Sequence, residues 1–163
     1  MIILNTEESL LLDELYRKLY RYMFTFAMGQ LKDEDLAMEA VQETFAIACS
    51  RAEYIMTSEN PRGWLMEALK HVILHIKREF AYMQKLYLTF EIQDKSVYVT
   101  DDNVDIMYSD LIHESDFQML KKVALERISM MQLSEELGIS VSACKKRVQR
   151  TKERMRKILE EDE

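Results

Sequence analysis

The sequence is poor in residues that interrupt or cross-link a chain. Its 163 residues contain three glycines, one proline (Pro61), one tryptophan (Trp64) and two cysteines. So little Gly and Pro leaves few tight turns and predicts an all-α fold. Cys49 and Cys144 stand far apart, which excludes a CxxC metal or redox motif and fits a reducing, cytoplasmic setting. No apolar run approaches the roughly 20 residues of a membrane span, so no membrane partner is expected. The start, MIILNTEESLLLDELY, lacks the basic stretch and cleavage site of a secretory signal. No P-loop, nucleophile elbow or dinucleotide fingerprint is present, so neither catalysis nor a cofactor is expected. What remains is 48% apolar and 31% charged, enough for a real core and against disorder. The net charge of −7 argues against indiscriminate coating of nucleic acid.

That average conceals a segregation of charge. Residues 140–158 hold eight basic side chains against one acid, Glu153, whereas residues 88–115 hold seven acids against Lys95. A third, acidic cluster comprises Asp33, Glu34, Asp35, Glu39 and Glu43. Such separation suggests distinct partners for distinct parts of the chain.

Apolar residues recur at threes and fours over 7–30 (Leu12, Leu15, Leu19, Met23, Phe26), which predicts an amphipathic helix ending near Gly29-Gln30. A second helix is expected over 33–50, with acids in its first turns and Leu36, Ala40, Val41, Phe45 and Ala48 on its apolar stripe. Residues 51–59 read as a loop. Asn60-Pro61 then opens a third helix, with Pro where the amide has no intrahelical partner, running to about Leu86. The acidic stretch 88–115 lacks a clear period and reads as a flexible linker, weakly β-prone at 96–100. Further helices are expected over 116–128, with Asp116 as N-cap, and over 130–137 and 141–159. The expected organisation is two small helical domains, 1–87 and 116–163, joined by the linker.

Residues 130–149, MMQLSEELGISVSACKKRVQ, have the pattern of a helix-turn-helix. Leu133 and Leu137 would face inward, Ser134 is small where the helices cross, Gly138 permits the turn and Ser140 caps the second helix. In that helix Cys144, Val148, Thr151, Met155 and Leu159 share one face, which leaves Lys145, Lys146, Gln149, Arg150, Lys152 and Arg154 outside. A recognition helix sets its first residues against base edges and its cations against phosphates, so these residues, with Ser142 and Arg147, form the expected duplex reader. A solvated basic helix is the plainer explanation of a charge run alone. The Gly-Ile-Ser turn and the small Ser134 favour the reader.

Two motifs of the N-terminal half, Glu39-Ala-Val-Gln-Glu-Thr-Phe45 and Asn60-Pro-Arg-Gly-Trp-Leu65, complete a pattern with Leu133–Arg150. In order and separation the three resemble bacterial RNA polymerase sigma factors of the extracytoplasmic-function group. The resemblance implies a region-2-like N-terminal bundle and a region-4-like C-terminal helix-turn-helix. It implies that Asp33, Glu34, Asp35, Glu39, Gln42 and Glu43 dock on the clamp helices of the largest polymerase subunit. The flap region of the second-largest subunit is a further implied contact. Tyr54–Glu59 and the helix after Pro61 correspond to the reader of the minus-ten element. There Arg62, Lys70, Lys77, Arg78 and Lys85 would hold phosphates, and Tyr54, Met56 and Trp64 would lie beside unstacked bases. His71 belongs to the same DNA-binding set, although a lone Trp such as Trp64 is more often a core anchor. The C-terminal helix would read the minus-thirty-five element as duplex. Partners are thus core polymerase and promoter DNA, with an anti-sigma factor as an optional third. Lys70-His71 stands where the family usually has Arg-Asn, so no promoter preference is carried over.

Two other functions fit parts of the pattern. A stand-alone helix-turn-helix regulator needs only the C-terminal half. A zinc enzyme would use Glu67, His71, His75 and Glu79, which follow one another at i, i+4 steps. With no HExxH and no nearby Cys, a polar helix face accounts for that column and no metal is expected.

Overall fold

The computed structural model describes residues 2–92, 98–99 and 112–161. Among the described residues it is helical apart from one two-residue strand pair, and the chain divides into two units, Met1–Lys77 and Arg78–Glu163. Most of the expected linker lies outside the described residues.

In the first unit, α1 (Thr6–Leu31) starts at a capping box: Asn5 Oδ1 accepts the Glu8 amide at 2.8 Å, and Glu8 Oε2 accepts the Asn5 amide at 2.9 Å. The helix runs through Gly29 and ends with Lys32 in the left-handed region (φ 54°), whose amide reaches Met28 O. Asp33 then caps α2 (Glu34–Ser50) by accepting the Leu36 amide at 2.9 Å. The α1–α2 seam is built on fully buried alanines, Ala27, Ala37 and Ala40, which let the two backbones approach closely. The expected loop contains a short helix, α3 (Ala52–Thr57), pinned by the buried Ala52 and Ile55. Two apolar positions three apart are too few to register as a period.

Helix α4 (Pro61–Ile92) begins as the Asn-Pro dipeptide requires. Asn60 O accepts the Trp64 amide, and Asn60 Oδ1 accepts the Gly63 amide at 2.9 Å. A Cβ on Gly63 would lie 2.3 Å from Asn60 Nδ2, so glycine keeps room for the cap. Asn60→Ala is expected to cost about 1 kcal/mol. Gly63→Ala alone is expected to be near neutral, its better helix propensity offset by the displaced cap. In the Asn60→Ala background it should stabilise by up to about 1 kcal/mol. Urea unfolding of the two single variants and the double variant measures this; equal effects of Gly63→Ala in both backgrounds would refute it.

α4 serves two cores. Leu65, Leu69, Val72 and Ile73 enter the core of the first unit, while Met83, Leu86, Tyr87 and Phe90 enter that of the second. The division therefore falls between Lys77 and Arg78 rather than after residue 87, and the helix continues six residues past its expected end.

In the second unit β1 (Tyr98–Val99) pairs in parallel with β2 (Ile112–His113). The pair holds the chain up to His113, and α5 (Glu114–Lys121) starts there, two residues before the expectation. His113, not Asp116, is the N-cap, its Nδ1 accepting the Ser115 amide. Asp116 is instead drawn to Arg147. A five-residue π turn (Lys122–Glu126) widens the end of α5 and stops at Arg127, another left-handed residue. Then follow α6 (Met130–Leu137) and α7 (Val141–Glu160). Phe117, Leu120, Val123, Leu133, Cys144 and Met155 fill the core between them.

Candidate nucleic-acid interface

The helix-turn-helix is assembled from local hydrogen bonds at each of its corners. Ser129 Oγ accepts the Gln132 amide and starts α6. Gly138 takes the left-handed conformation (φ 65°, ψ 31°) that a side chain would strain. The Gly138 and Ile139 amides reach back to Glu135 O and Ser134 O, closing a Schellman-type turn. Ser140 Oγ accepts the Ala143 amide at 3.1 Å and starts α7 only two residues after the glycine. The buried stripe of α7 is Cys144, Val148, Thr151 and Met155, as its spacing predicts. Burial pushes the Cys144 thiol above its ordinary range, consistent with a core residue rather than a nucleophile.

On the outer face of α7, Ser142, Lys145, Lys146, Gln149, Arg150 and Arg154 are exposed, and the middle four line one shallow recess. Gln149 donates to Glu153 at 2.9 Å. Two expected contact residues are not on this surface. Arg147 is half-buried, with Nε 2.7 Å from Asp116 Oδ1. Lys152 is the more deeply placed, with Nζ 2.9 Å from Glu79 Oε2. Periodicity alone left Lys152 outside. Its partner, 73 residues away, gives no signal in the sequence.

The first unit holds a pocket of about 750 Å³ between α2, α3 and α4. Trp64, Tyr54, Ile47, Ala68 and Val72 supply its apolar wall, and Glu43, Arg51, Glu67, His71 and His75 its polar rim. It thus brings together Tyr54 and His71 from the expected minus-ten set, Trp64, and Glu43 from the acidic set. Ile47 and Arg51, at the C-terminal end of α2, were missed by sequence reasoning, since only the tertiary fold sets that end beside α4. Met56 is exposed and not among the lining residues.

The expected phosphate-holding cations divide among other places. Arg62 lies 4.8 Å from the centre of the Tyr22 ring. Lys70 pairs with Glu67 at 3.0 Å, and Lys77 donates to Gln30 at 3.1 Å. Lys70 and Lys77 border a second, smaller recess with Phe26 and Leu74. Arg78 is exposed and belongs to the second unit.

In the acidic set, Asp33 is engaged as the cap of α2, Asp35 and Glu39 are half-buried, and Glu34, Gln42 and Glu43 are exposed. Among the described residues no three His, Cys, Asp or Glu side chains are grouped to hold a metal ion, and no helix is long and apolar enough to cross a membrane. No protein-family model matches the chain, and no curated protein or solved structure is significantly similar to it.

Proposed function

We propose that this chain is a promoter-specificity subunit of bacterial RNA polymerase, of the kind its three motifs resemble. The observation that carries the reading is the presence of two separate candidate surfaces in one chain. One is a capped recognition helix with an exposed polar and basic face; the other is an aromatic-lined pocket in a separate unit. The first suits duplex DNA: the N-terminal turns of α7 carry Ser142, Lys145, Lys146 and Gln149 toward base edges, with Arg150 and Arg154 near phosphate. The second suits an unstacked base, with the Trp64 and Tyr54 rings as stacking surfaces and Glu67 and His71 as hydrogen-bonding groups. Base capture supplies free energy for melting without nucleotide hydrolysis. The exposed acids of α2 supply a surface for a basic face of polymerase.

The test is transcription. Core polymerase supplemented with this chain is expected to initiate from promoters in a genomic library that core alone ignores. Failure with demonstrably folded protein would defeat the reading. Footprinting of duplex promoter without polymerase would then point to a stand-alone regulator using the same α7. In either case Arg150→Gln is expected to weaken duplex binding and to lower the log–log salt slope by about 0.9. An unchanged slope would move Arg150 off the interface.

A further inference from the structure

Two α7 cations held by carboxylates of other helices define a property of the duplex reader that its sequence hides. Lys152, whose side chain is 13% exposed, lies 2.9 Å from Glu79 Oε2 and 5.6 Å from the centre of the Tyr82 ring. Arg147 gives Nε to Asp116 Oδ1 at 2.7 Å and Nη2 to Ser115 Oγ at 3.2 Å. Around α7 the two cations flank the buried stripe, one on each side, while Lys145, Lys146 and Arg150 occupy the outer face. Glu79, Tyr82, Ser115, Asp116 and the whole of α7 belong to the same unit.

The geometry points to Glu79 and Asp116 as specificity-determining residues: their carboxylates take the places on Lys152 and Arg147 that phosphate oxygens would otherwise fill. DNA is then gripped through the outer-face cations alone. Each phosphate contact withheld removes one increment of counterion release, which drives binding to any sequence alike. Base-edge contacts at the start of α7 are untouched, so the ratio of specific to non-specific affinity rises. To reach phosphate, Lys152 must leave both its carboxylate and the Tyr82 face. Arg147 must break a two-point hold on α5. This inference rests on the proposed duplex reading and adds to it which cations stay silent.

The full chain is titrated with a random-sequence DNA duplex over a range of KCl concentrations. Glu79→Gln is expected to tighten binding several-fold and to steepen the log–log salt slope by about 0.9, the increment for one phosphate. Asp116→Asn should add a second such increment through Arg147. Lys152→Gln is expected to keep the wild-type slope, whereas Arg150→Gln lowers it. A charge swap, Glu79→Lys with Lys152→Glu, preserves the ion pair if removal of Lys152 alone loosens the unit, and should also keep the wild-type slope. A slope lowered by Lys152→Gln or by the swap as much as by Arg150→Gln overturns the inference, as does Glu79→Gln with no effect. If Arg150→Gln behaves as expected in that same experiment, only this inference falls. If even the wild-type chain fails to bind duplex, the duplex reading falls with it.

Discussion

Replacing Tyr87 by alanine is expected to destabilise the second unit by about 3–5 kcal/mol, the usual cost of deleting a buried aromatic ring. Tyr87 is 2% exposed, and its ring stacks on Phe117 at 4.9 Å between centroids, with the Phe90 ring tilted against Phe117 at 5.9 Å. Both the transfer term and the lost ring contact act against the same small core. For a unit of this size the loss lowers the thermal midpoint of the second unit by more than about 12 °C. Hydrogen exchange followed residue by residue is the decisive measurement. Amides of α5, α6 and α7 should lose protection, while those of α1 and α2 keep theirs. Equal loss in α1 and α2 would show that the two cores melt as one and that the division at Lys77 has no energetic meaning.

Reversal of charge at Glu39 and Glu43, both to lysine, is expected to weaken binding to core polymerase by about 10- to 100-fold, or about 1.4–2.8 kcal/mol. Both residues lie on α2, and their side chains are at least partly exposed rather than part of its buried face of Val41, Thr44 and Phe45. At the exposed Glu43 a fold cost of a few tenths of a kcal/mol is typical, whereas half-buried Glu39 adds a cost of its own, so the single Glu43→Lys variant is measured beside the double one. Competition binding against the unaltered chain measures the affinity, and thermal melting controls for the fold. Full binding by the double variant would make the acidic helix an ordinary solvated face. A stronger dependence of the association rate than of the dissociation rate on this change would mark a rim contact.

The comparison of sequence with structure divides along a physical line. Helices α1, α2, α6 and α7 were legible to within one or two residues, because a sustained period and a side-chain cap specify them locally. Gly138 and Ser140 are the clearest instance: the left-handed glycine and the capping serine are properties of the residues themselves. What was not legible depended on distant partners. The end of α4 past Leu86 is helical in company with Phe117 and Ile112, which no local pattern announces. Asp116 is a better cap than His113 by residue type, yet Arg147, 31 residues on, claims its carboxylate. The candidate sites follow the same rule. The outer face of α7 could be read from its period, whereas the pocket beside Trp64 needs α3, whose existence rests on Ala52 and Ile55 finding a core.

The sealed position of Cys144 at the junction of α6 and α7 has a practical consequence. The chain has one other thiol, Cys49, partly covered on α2 of the first unit, so the two sulfurs sit in different units. A reagent can alkylate Cys144 only in molecules whose second unit has momentarily opened. Its rate of modification in native buffer is thus a clock for that opening, readable by mass spectrometry without introducing a new thiol.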